Sequence, residues 1–472
     1  MAWATIDNSY ARLPERLFTR LSPMRFPAAK PIAFNEGLAS ELGLESTASD
    51  LLTDLLKTGK IPEGFDPLAQ VYAGHQFGGF SPQLGDGRAL LLGEVLAPDG
   101  KRFDIQLKGS GRTPYSRNGD GRAGIGPVLR EYLLSEFMHA VGIPSTRALA
   151  AFSTGDHIYR ETALPGAVLV RVAASHIRVG TFEFFASRGD IDGVRALFEH
   201  VRARHYPDCE TPFEMLQAVM LRQAKLVASW MGIGFIHGVM NTDNTSLSGE
   251  TIDYGPAAFM ETFHRDTVYS SIDQFGRYAY SNQARIIVWN LAQLASALLL
   301  LEPSPDAVLK TWQQSIDDFS GVIEKARLHA FGRKIGLSSP NSTDLPMIDD
   351  LLSLMQEGQA DFTNTFRALA TDEAARDQFL DPAAFDAWAE RWKARIANEP
   401  DPRSIMQQAN PQQIPRNHLV EEALQAGARG DYSVFNRLLE AVTMPFDPRP
   451  EFAWARVPAM PENAVQRTFC GT

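Results

Sequence analysis

The fold of this 472-residue chain is decided by the stretch HGVMNTDN, residues 237–244, and by TIDYG, residues 251–255, which follows it. Together they place two carboxylates, Asp243 and Asp253, and the carboxamide of Asn244 on short polar turns behind a long apolar segment. Mg²⁺ prefers hard oxygen ligands and keeps part of its water shell, so one or two such side chains and the phosphates of a substrate are enough to hold it. The pattern therefore indicates a metal–nucleotide site, although the same residue types also form ordinary turns and helix caps.

The order of these polar residues is similar to that in a protein kinase. There an Asp acts as the base, an Asn holds one metal ion, and the Asp of an Asp-Phe-Gly turn holds another. Asn244 and Asp253 can fill the two metal roles, and Asp243 is the carboxylate nearest to the position of the base. A helical pattern from Phe213 to Met231 leads into the motif, as in the large lobe of a kinase.

Upstream, two strand-like segments are typical of a phosphate-binding lobe. Ala89–Val95 follows the glycine-rich turn of Gly85, Gly87 and Arg88, and Phe103–Lys108 alternates apolar with polar residues after a tight turn. Glycines before the first strand and a lysine at the end of the second match the glycine loop and strand lysine of a kinase small lobe.

The next helix offers two carboxylates to that lysine. Val128–Val141 has the pattern of an amphipathic helix, and it carries Glu131 and Glu136. In kinases the strand lysine pairs with a helix glutamate. Spacing alone does not choose between the two glutamates, and both can also be solvated helix charges.

Two more segments indicate anion binding. Residues 109–122 are rich in glycine and arginine and include Asp120 and Gly121, so their backbone N–H groups and guanidinium groups can face phosphates. The strand-like segment Ala167–Ala173 contains Arg171, and Arg178 follows it. A buried guanidinium needs an anionic partner, which is either a phosphate or an internal carboxylate.

The composition describes an ordinary globular chain. Hydrophobic residues make up 44%, charged residues 21%, and the formal net charge is −11. Since no long basic run is present, the sequence argues against partners such as duplex nucleic acid or an anionic membrane. The apolar segment Ile286–Leu301 is too short for a membrane span and predicts a buried helix. The N-terminus lacks a signal-like pattern, and the two cysteines, Cys209 and Cys470, suggest no disulfide framework. We therefore expect a cytoplasmic protein and a monomer.

Read together, these motifs resemble the selenoprotein O family, called YdiU in bacteria. The resemblance runs from about residue 70 into the C-terminal region. It is carried by the strings YAGHQFG (72–78), QLGDGR (83–88), QLKGSG (106–111), HGVMNTDN (237–244), IDYGP (252–256), GRYAY (276–280) and PRNH (415–418).

The resemblance implies an α+β, protein-kinase-like bilobed fold that transfers AMP rather than phosphate. The small β-rich lobe with its helix would span residues 71–185 and the larger, mainly helical lobe with the catalytic site 186–400. Residues 1–70 would form an N-terminal extension and 401–472 a C-terminal helical extension and tail. ATP would be bound in a flipped orientation, and AMP would pass to Ser, Thr or Tyr hydroxyls of protein substrates with release of pyrophosphate. The bacterial branch is also associated with Mn²⁺-dependent transfer of UMP from UTP.

The resemblance also assigns roles to individual residues. Asp243 would be the base, and Asn244 and Asp253 would hold Mg²⁺ or Mn²⁺. The nucleotide would be held by Gly85, Gly87, Arg88, Lys108, Asp120, Gly121, Arg171 and Arg178, with Glu131 paired to Lys108. Two other functions remain open from the sequence, namely a conventional protein phosphotransferase and a non-catalytic pseudokinase scaffold.

One feature departs from the family pattern. Cys470 matches a C-terminal selenocysteine or cysteine that some members link to a cysteine in the activation segment. The corresponding residues here, 267–273, contain no cysteine. Redox control by that bridge is therefore not expected in this chain, although Cys470 could still react with other thiols.

Overall fold

The structure is a computed structural model that describes residues 4–371 and 375–469. Within these residues the chain is α+β, as the sequence predicted. Its main sheet has nine strands in the order β2-β4-β7-β8-β11-β10-β3, with β1 paired to β7 and β9 paired to β11. The strands of this sheet are β1 Thr5–Ile6, β2 Phe18–Arg20, β3 Lys30–Phe34, β4 Leu68–Gln70, β7 Ala89–Leu96, β8 Arg102–Lys108, β9 Ala123–Gly124, β10 Arg147–Tyr159 and β11 Ala163–Ala173. Two short hairpins pair β5 Gly74–Gln76 with β6 Gly79–Ser81, and β12 Phe235–Ile236 with β13 Ala258–Phe259.

The three strands predicted from the sequence, which became β7, β8 and β11, are confirmed and lie side by side in the sheet. β8 is antiparallel to both of its neighbours, so Leu107 is opposite Leu90 on β7 and Val170 on β11. This register places Lys108 and Arg171 near one another at adjoining strands. The sheet also takes β1 to β4 from residues 1–70, where the sequence indicated only an extension.

Helices make up most of the rest of the chain. They are α1 Glu36–Glu41, α2 Ala48–Thr58, α3 Ile125–Ala140, α4 Val179–Ala186, α5 Ile191–His205, α6 Pro212–Gly232, α7 Gln283–Leu298, α8 Pro305–Asp317, α9 Phe319–Lys334, α10 Leu345–Glu357, α11 Phe362–Ala370, α12 Pro382–Ile396, α13 Pro402–Ala409, α14 Asn417–Ala428 and α15 Ser433–Thr443. The predicted long helix became α6, which begins with a capping box between Thr211 and Glu214 and with Pro212 in its first turn.

Two helical regions, residues 305–334 and 345–370, each form two helices rather than one. The first is divided at Asp318 into α8 and α9. The second is divided after Gly358, where Gln359 has a left-handed backbone with φ 52°. A residue in that conformation cannot continue a right-handed helix, so α10 ends there and α11 begins at Phe362.

Helix α3 is packed on both sides. One side lies against β10 and β11, and the other contacts α14 and α15 near the C-terminus. Tyr132 stacks edge-on against Phe435 with ring centroids 5.6 Å apart, and Arg130 forms an ion pair with Glu421. The C-terminal helices therefore hold α3 against the sheet, which fixes the position of Glu131 on that helix.

The stretch Tyr280–Leu301 is the one helical stretch of the described residues that is long and apolar enough to cross a membrane by length and composition alone. Half of an 18-residue apolar window within it is buried inside the protein, and α7 packs against α4, α6 and α9. Ile286, Leu291 and Leu294 are fully buried there. The prediction of a buried helix is confirmed by this packing.

Candidate active site

A cavity of about 480 Å³ lies where the main sheet meets the turns at 242–244 and 251–255. All of the predicted site residues except Glu131 and Asn244 line it: Gly85, Gly87, Arg88, Lys108, Asp120, Gly121, Arg171, Arg178, Asp243 and Asp253. The fold thus brings together residues that are up to 168 positions apart in the sequence, from Gly85 to Asp253.

The most buried part of the site is a network of two cations and two carboxylates. Lys108 Nζ donates to Glu131 Oε2 at 2.6 Å and to Asp253 Oδ1 at 2.5 Å. Arg171 donates to the same two carboxylates, at 2.6 Å from Nε to Glu131 Oε1 and at 2.8 Å from Nη2 to Asp253 Oδ1. Burial alone would raise the pKa of Glu131, but Arg171 and Lys108 outweigh it and lower that pKa. Glu131 therefore stays ionised although it is only 2% exposed.

The structure distinguishes the two candidate glutamates. Glu131 contacts Lys108, whereas Glu136 accepts hydrogen bonds from Arg147 at 2.8 Å and from Asn35 at 2.8 Å. Glu136 also accepts from the backbone N–H of Ala148 at 2.9 Å. It thereby joins α3 to β10 and takes no part in the cavity.

Asp253 and Asn244 offer oxygen atoms of the kind that a divalent metal ion takes as ligands. Asp253 is in a left-handed backbone conformation with φ 64°, a strained geometry for a residue other than glycine that often occurs at functional sites. Both cations contact its Oδ1, and none of these bonds involves Oδ2. Asn244 is held by a bond of 2.9 Å from Nδ2 to the carbonyl of Val239, which leaves its side-chain oxygen available to a metal ion.

These two side chains suit a metal that takes most of its ligands from elsewhere. No group of three or more His, Cys, Asp or Glu suited to a metal was found within the described ranges 4–371 and 375–469. Mg²⁺ is commonly held by one or two protein oxygens together with waters and substrate phosphates. The pair therefore fits a metal that arrives with a nucleotide.

Asp243 lies on a single 3₁₀ turn, Thr242–Asn244. Its Oδ2 accepts a hydrogen bond from Gln76 Nε2 at 3.2 Å, while its buried Oδ1 has no hydrogen-bond partner. Burial raises the pKa of Asp243 to about 6, against the lowering effect of Gln76 and Arg178. A carboxylate with this pKa is ionised at neutral pH and is a stronger base than an ordinary aspartate.

Arg178 is held by groups that the sequence analysis did not assign to the site. It is 2% exposed, its Nη1 lies 3.4 Å from Asp86 Oδ1, and its guanidinium stacks 4.3 Å from the ring centroid of Tyr72. Asp86 is positioned in turn by the backbone N–H of Gln70 at 3.0 Å. Asp86 belongs to the string QLGDGR quoted above. Its place between two glycines of that turn is the sequence feature that could have indicated its role in the site.

The glycine-rich loops pack so closely against neighbouring backbone that Gly87 and Gly121 leave no room for a side chain. A Cβ at Gly87 would lie 2.8 Å from the carbonyl oxygen of Tyr115, and one at Gly121 would lie 2.1 Å from that of Gly111. Asp120, at the rim, is held by two bonds to Arg160, at 2.9 and 3.0 Å. Arg160 lies between β10 and β11, and the sequence analysis missed it because β10 was not predicted.

The C-terminal tail contacts the segment after Asp253. Thr468 donates from its backbone N–H to the carbonyl of Tyr269 at 2.7 Å and from its hydroxyl to the carbonyl of Pro256 at 2.5 Å. Ser271 donates to the carbonyl of Thr468 at 3.0 Å. Cys470 lies outside the described residues, and Cys209 is a free, half-buried thiol.

Cations that face a cavity beside ionised carboxylates are what a polyphosphate substrate and its metal require. The class of protein defined by this fold and site is thus a nucleotide-using transferase. Comparison with known sequences is more specific. The sequence model of the family described as "Protein adenylyltransferase SelO" matches residues 3–443. Protein nucleotidyltransferase YdiU of Roseobacter denitrificans is 56% identical over 469 residues, which cover 99% of both chains.

Further relatives agree. Protein nucleotidyltransferase YdiU of Ruegeria pomeroyi is 53% identical over 466 residues, covering 99% of this chain and 98% of the relative. That of Rhizobium meliloti is 51% identical over 486 residues, covering 99% of both. The chain belongs to the protein adenylyltransferase SelO family, as the motifs predicted, and it is an enzyme of the nucleotidyltransferase class.

Proposed function

We propose that this enzyme transfers AMP from ATP to Ser, Thr or Tyr hydroxyls of proteins and releases pyrophosphate. UTP is the second nucleotide that we propose, with Mn²⁺. The proposal includes a kinase-like, bilobed arrangement in which the Lys108–Glu131 pair and Asp253 have the positions of their kinase counterparts. The observation that carries it is the cluster of Lys108, Arg171 and Arg178 at one cavity with Asp243.

The charges of this cluster support transfer from the α-phosphate. Lys108 and Arg171 are neutralised by Glu131 and Asp253 in the structure. With Asp253 engaged by a metal ion, the two cations would share Glu131 alone and would carry one net positive charge toward the phosphates. Arg178 adds a further cation. Such a group of cations suits a leaving pyrophosphate, which carries more charge than any other part of the reaction.

Asp243 acts as the general base when the acceptor hydroxyl attacks. In the proposed reaction the acceptor oxygen attacks the α-phosphorus, the bond from that phosphorus to the bridging oxygen of the β-phosphate breaks, and pyrophosphate leaves with the bonding electron pair. Asp243, which lines the cavity, takes the hydroxyl proton as the general base. Mg²⁺ or Mn²⁺ at Asn244 and Asp253 would supply additional charge stabilisation.

The test is incubation with α-labelled and, separately, γ-labelled ATP in the presence of Mg²⁺ or Mn²⁺. We expect protein-bound label from the α position alone, lost in Asp253→Ala and kept in the matched surface variant Asp431→Ala. Label from the γ position alone would indicate a conventional phosphotransferase. No label with either nucleotide would favour a nucleotide-binding scaffold.

A further inference from the structure

An aromatic surface with one arginine lies next to Asp243, outside the nucleotide cavity. We call it the acceptor surface and define it by His75, Phe77, Phe80, Arg277, Tyr278 and Trp289. Its members form a continuous series of contacts. His75 lies 4.8 Å from Phe80 and 5.0 Å from Trp289, ring to ring. The guanidinium of Arg277 lies 5.0 Å from the Trp289 ring, and Phe77 lies 5.0 Å from Tyr278.

The hairpin of β5 and β6 attaches this surface to the turn that carries Asp243. The side chain of Gln76 bonds Asp243, and the backbone N–H of His75 donates to Thr242 Oγ1 at 2.7 Å. Phe77 donates from its backbone to Asn241 Oδ1 at 3.3 Å. Gln76 and Asp243 also line the nucleotide cavity, whereas no member of the acceptor surface does. The surface and the cavity therefore meet at the proposed base.

Two aromatic side chains of this surface, Phe77 and Phe80, are held outward. Phe77 is 38% and Phe80 41% exposed, and the neighbouring segment presents Ile272 and Phe275, which are 50% and 95% exposed. Phe77 has a left-handed backbone with φ 52°, an unfavourable conformation for an aromatic residue. Clustered exposed apolar groups on a globular protein are typical of interaction sites. A strained residue that presents such a group indicates the same role.

Arg277 gives the surface a charge preference. It is half-buried, and among residues 4–371 and 375–469 no carboxylate forms an ion pair with it. Its guanidinium instead faces Trp289 and Tyr278. Trp289 is shared with a groove of about 660 Å³, where Val288, Ala292 and Ile323 provide apolar lining. An extended chain that crosses Arg277 can continue into this groove.

We propose that the acceptor surface binds the substrate protein as an extended segment. An aromatic or aliphatic residue near the modified hydroxyl packs on Phe77 and Phe80, and an Asp or Glu of the segment pairs with Arg277. This inference rests on the proposed function, since it assumes transfer to a protein hydroxyl. It makes Phe77, Phe80 and Arg277 specificity-determining residues, while Asp243 remains the base.

The experiment uses the full-length enzyme, α-labelled ATP and an array of peptides with a central Thr or Tyr and every flanking position varied. For the wild type we expect preference for Asp or Glu and for Phe, Leu or Ile at defined flanking positions. Arg277→Glu should reverse the charge preference toward Lys or Arg, by about fivefold to tenfold in relative kcat/KM. Phe80→Ala should raise KM for peptides with an apolar flank while the KM for ATP stays unchanged.

Control variants distinguish a failure of the acceptor surface from a loss of folding and from a failure of the proposed function. Leu380→Ala removes another exposed apolar side chain, 75% exposed, and should keep the wild-type profile. Arg277→Gln should lose the acidic preference without reversing it, and nucleotide binding checks that each variant is folded. An unchanged profile in both Arg277 variants would overturn the acceptor surface alone. Absence of label from every peptide with the wild type would overturn the proposed function, and this inference with it.

Discussion

The ammonium group of Lys108 lies 2.5 Å from Asp253 and so joins the main sheet to the turn that carries a proposed metal ligand. The same ammonium contacts Glu131 at 2.6 Å, so one strand residue connects helix α3 to that turn. Lys108 is 7% exposed, and its two partners are ionised by the charges around them. The geometry of the site thus depends on Lys108 together with Arg171, which bonds the same two carboxylates.

Lys108→Met should therefore inactivate the enzyme. It keeps most of the side-chain volume but leaves Arg171, among residues 4–371 and 375–469, as the only cation that contacts Glu131 and Asp253. We expect transfer of α-label to fall by about 10²–10³, the usual effect of removing one group that stabilises charge in the transition state. Lys101→Met, at an exposed turn, is the matched control. Transfer within tenfold of wild type in Lys108→Met would contradict the role given to this lysine.

Arg171→Lys should lower the stability of the fold as well as the rate of transfer. Arg171 bonds Glu131, Asp253 and Gln106 at once, the last at 3.2 Å, and an ammonium cannot span all three partners. We expect the free energy of unfolding to fall by on the order of 2–4 kcal/mol, because carboxylates are left buried and incompletely paired. Denaturant unfolding measures this change.

Arg12→Lys, at the protein surface, is the matched control for Arg171→Lys. Arg12 pairs with Asp7 at the surface, with its side chain 62% exposed, and the change there should cost less than about 1 kcal/mol. Equal effects of the two substitutions would show that burial of the Arg171 network does not matter.

Gly74→Ala should displace the base while it spares nucleotide binding. A Cβ at Gly74 would lie 2.8 Å from Asp243 Oδ1 and 3.0 Å from Asp243 Cβ, so the carboxylate would have to move. We expect kcat to fall at least tenfold, since small displacements of catalytic groups are costly. The Kd for ATP should change little. Gly321→Ala, where no atom lies within 4 Å of the added Cβ, is the control. A Gly74→Ala enzyme with normal kcat would argue against Asp243 as the base.

The sequence predicted best those parts whose signals are local. The strand β8 alternates apolar and polar residues, and α6 has apolar residues at helical spacing, so both were located to within one residue at each end. The strand β10 was missed, because Ala148, Ala150 and Ala151 give it low strand propensity. Its conformation comes from pairing with β3 and β11 on either side, which is a tertiary effect.

The choice between Glu131 and Glu136 shows why the rest of the site could not be predicted. Five residues along a helix correspond to a rotation of about 140°, so the two carboxylates face different directions. Which one faces Lys108 depends on how α3 is rotated against the sheet, and that is set by the packing of Leu129 and Leu133 in the core. Contacts with the distant helices α14 and α15 contribute to the same rotation.

Glu250, which lies outside the cavity, should make the stability of the folded protein depend on pH. Burial raises its pKa from the ordinary value of 4.5 to about 7, while bonds from Ser248 and the backbone of Ala174 oppose that shift. The folded protein therefore binds an extra proton between about pH 4.5 and 7, so the stability associated with Glu250 is complete below pH 4.5 and is lost as pH rises through 7.

Glu250→Gln removes the free-energy cost of ionising a buried carboxyl group. It can keep both hydrogen bonds, since an amide oxygen still accepts from Ser248 and Ala174. One pKa unit corresponds to about 1.4 kcal/mol, so a shift from 4.5 to about 7 leads us to expect that the variant gains on the order of 3 kcal/mol relative to wild type between pH 4 and pH 8. Denaturant unfolding at both pH values measures this difference, with the exposed Glu440→Gln as control. A difference that is the same at both pH values would mean that the pKa of Glu250 is the same in the folded and the unfolded protein, so that Ser248 and Ala174 compensate fully for its burial.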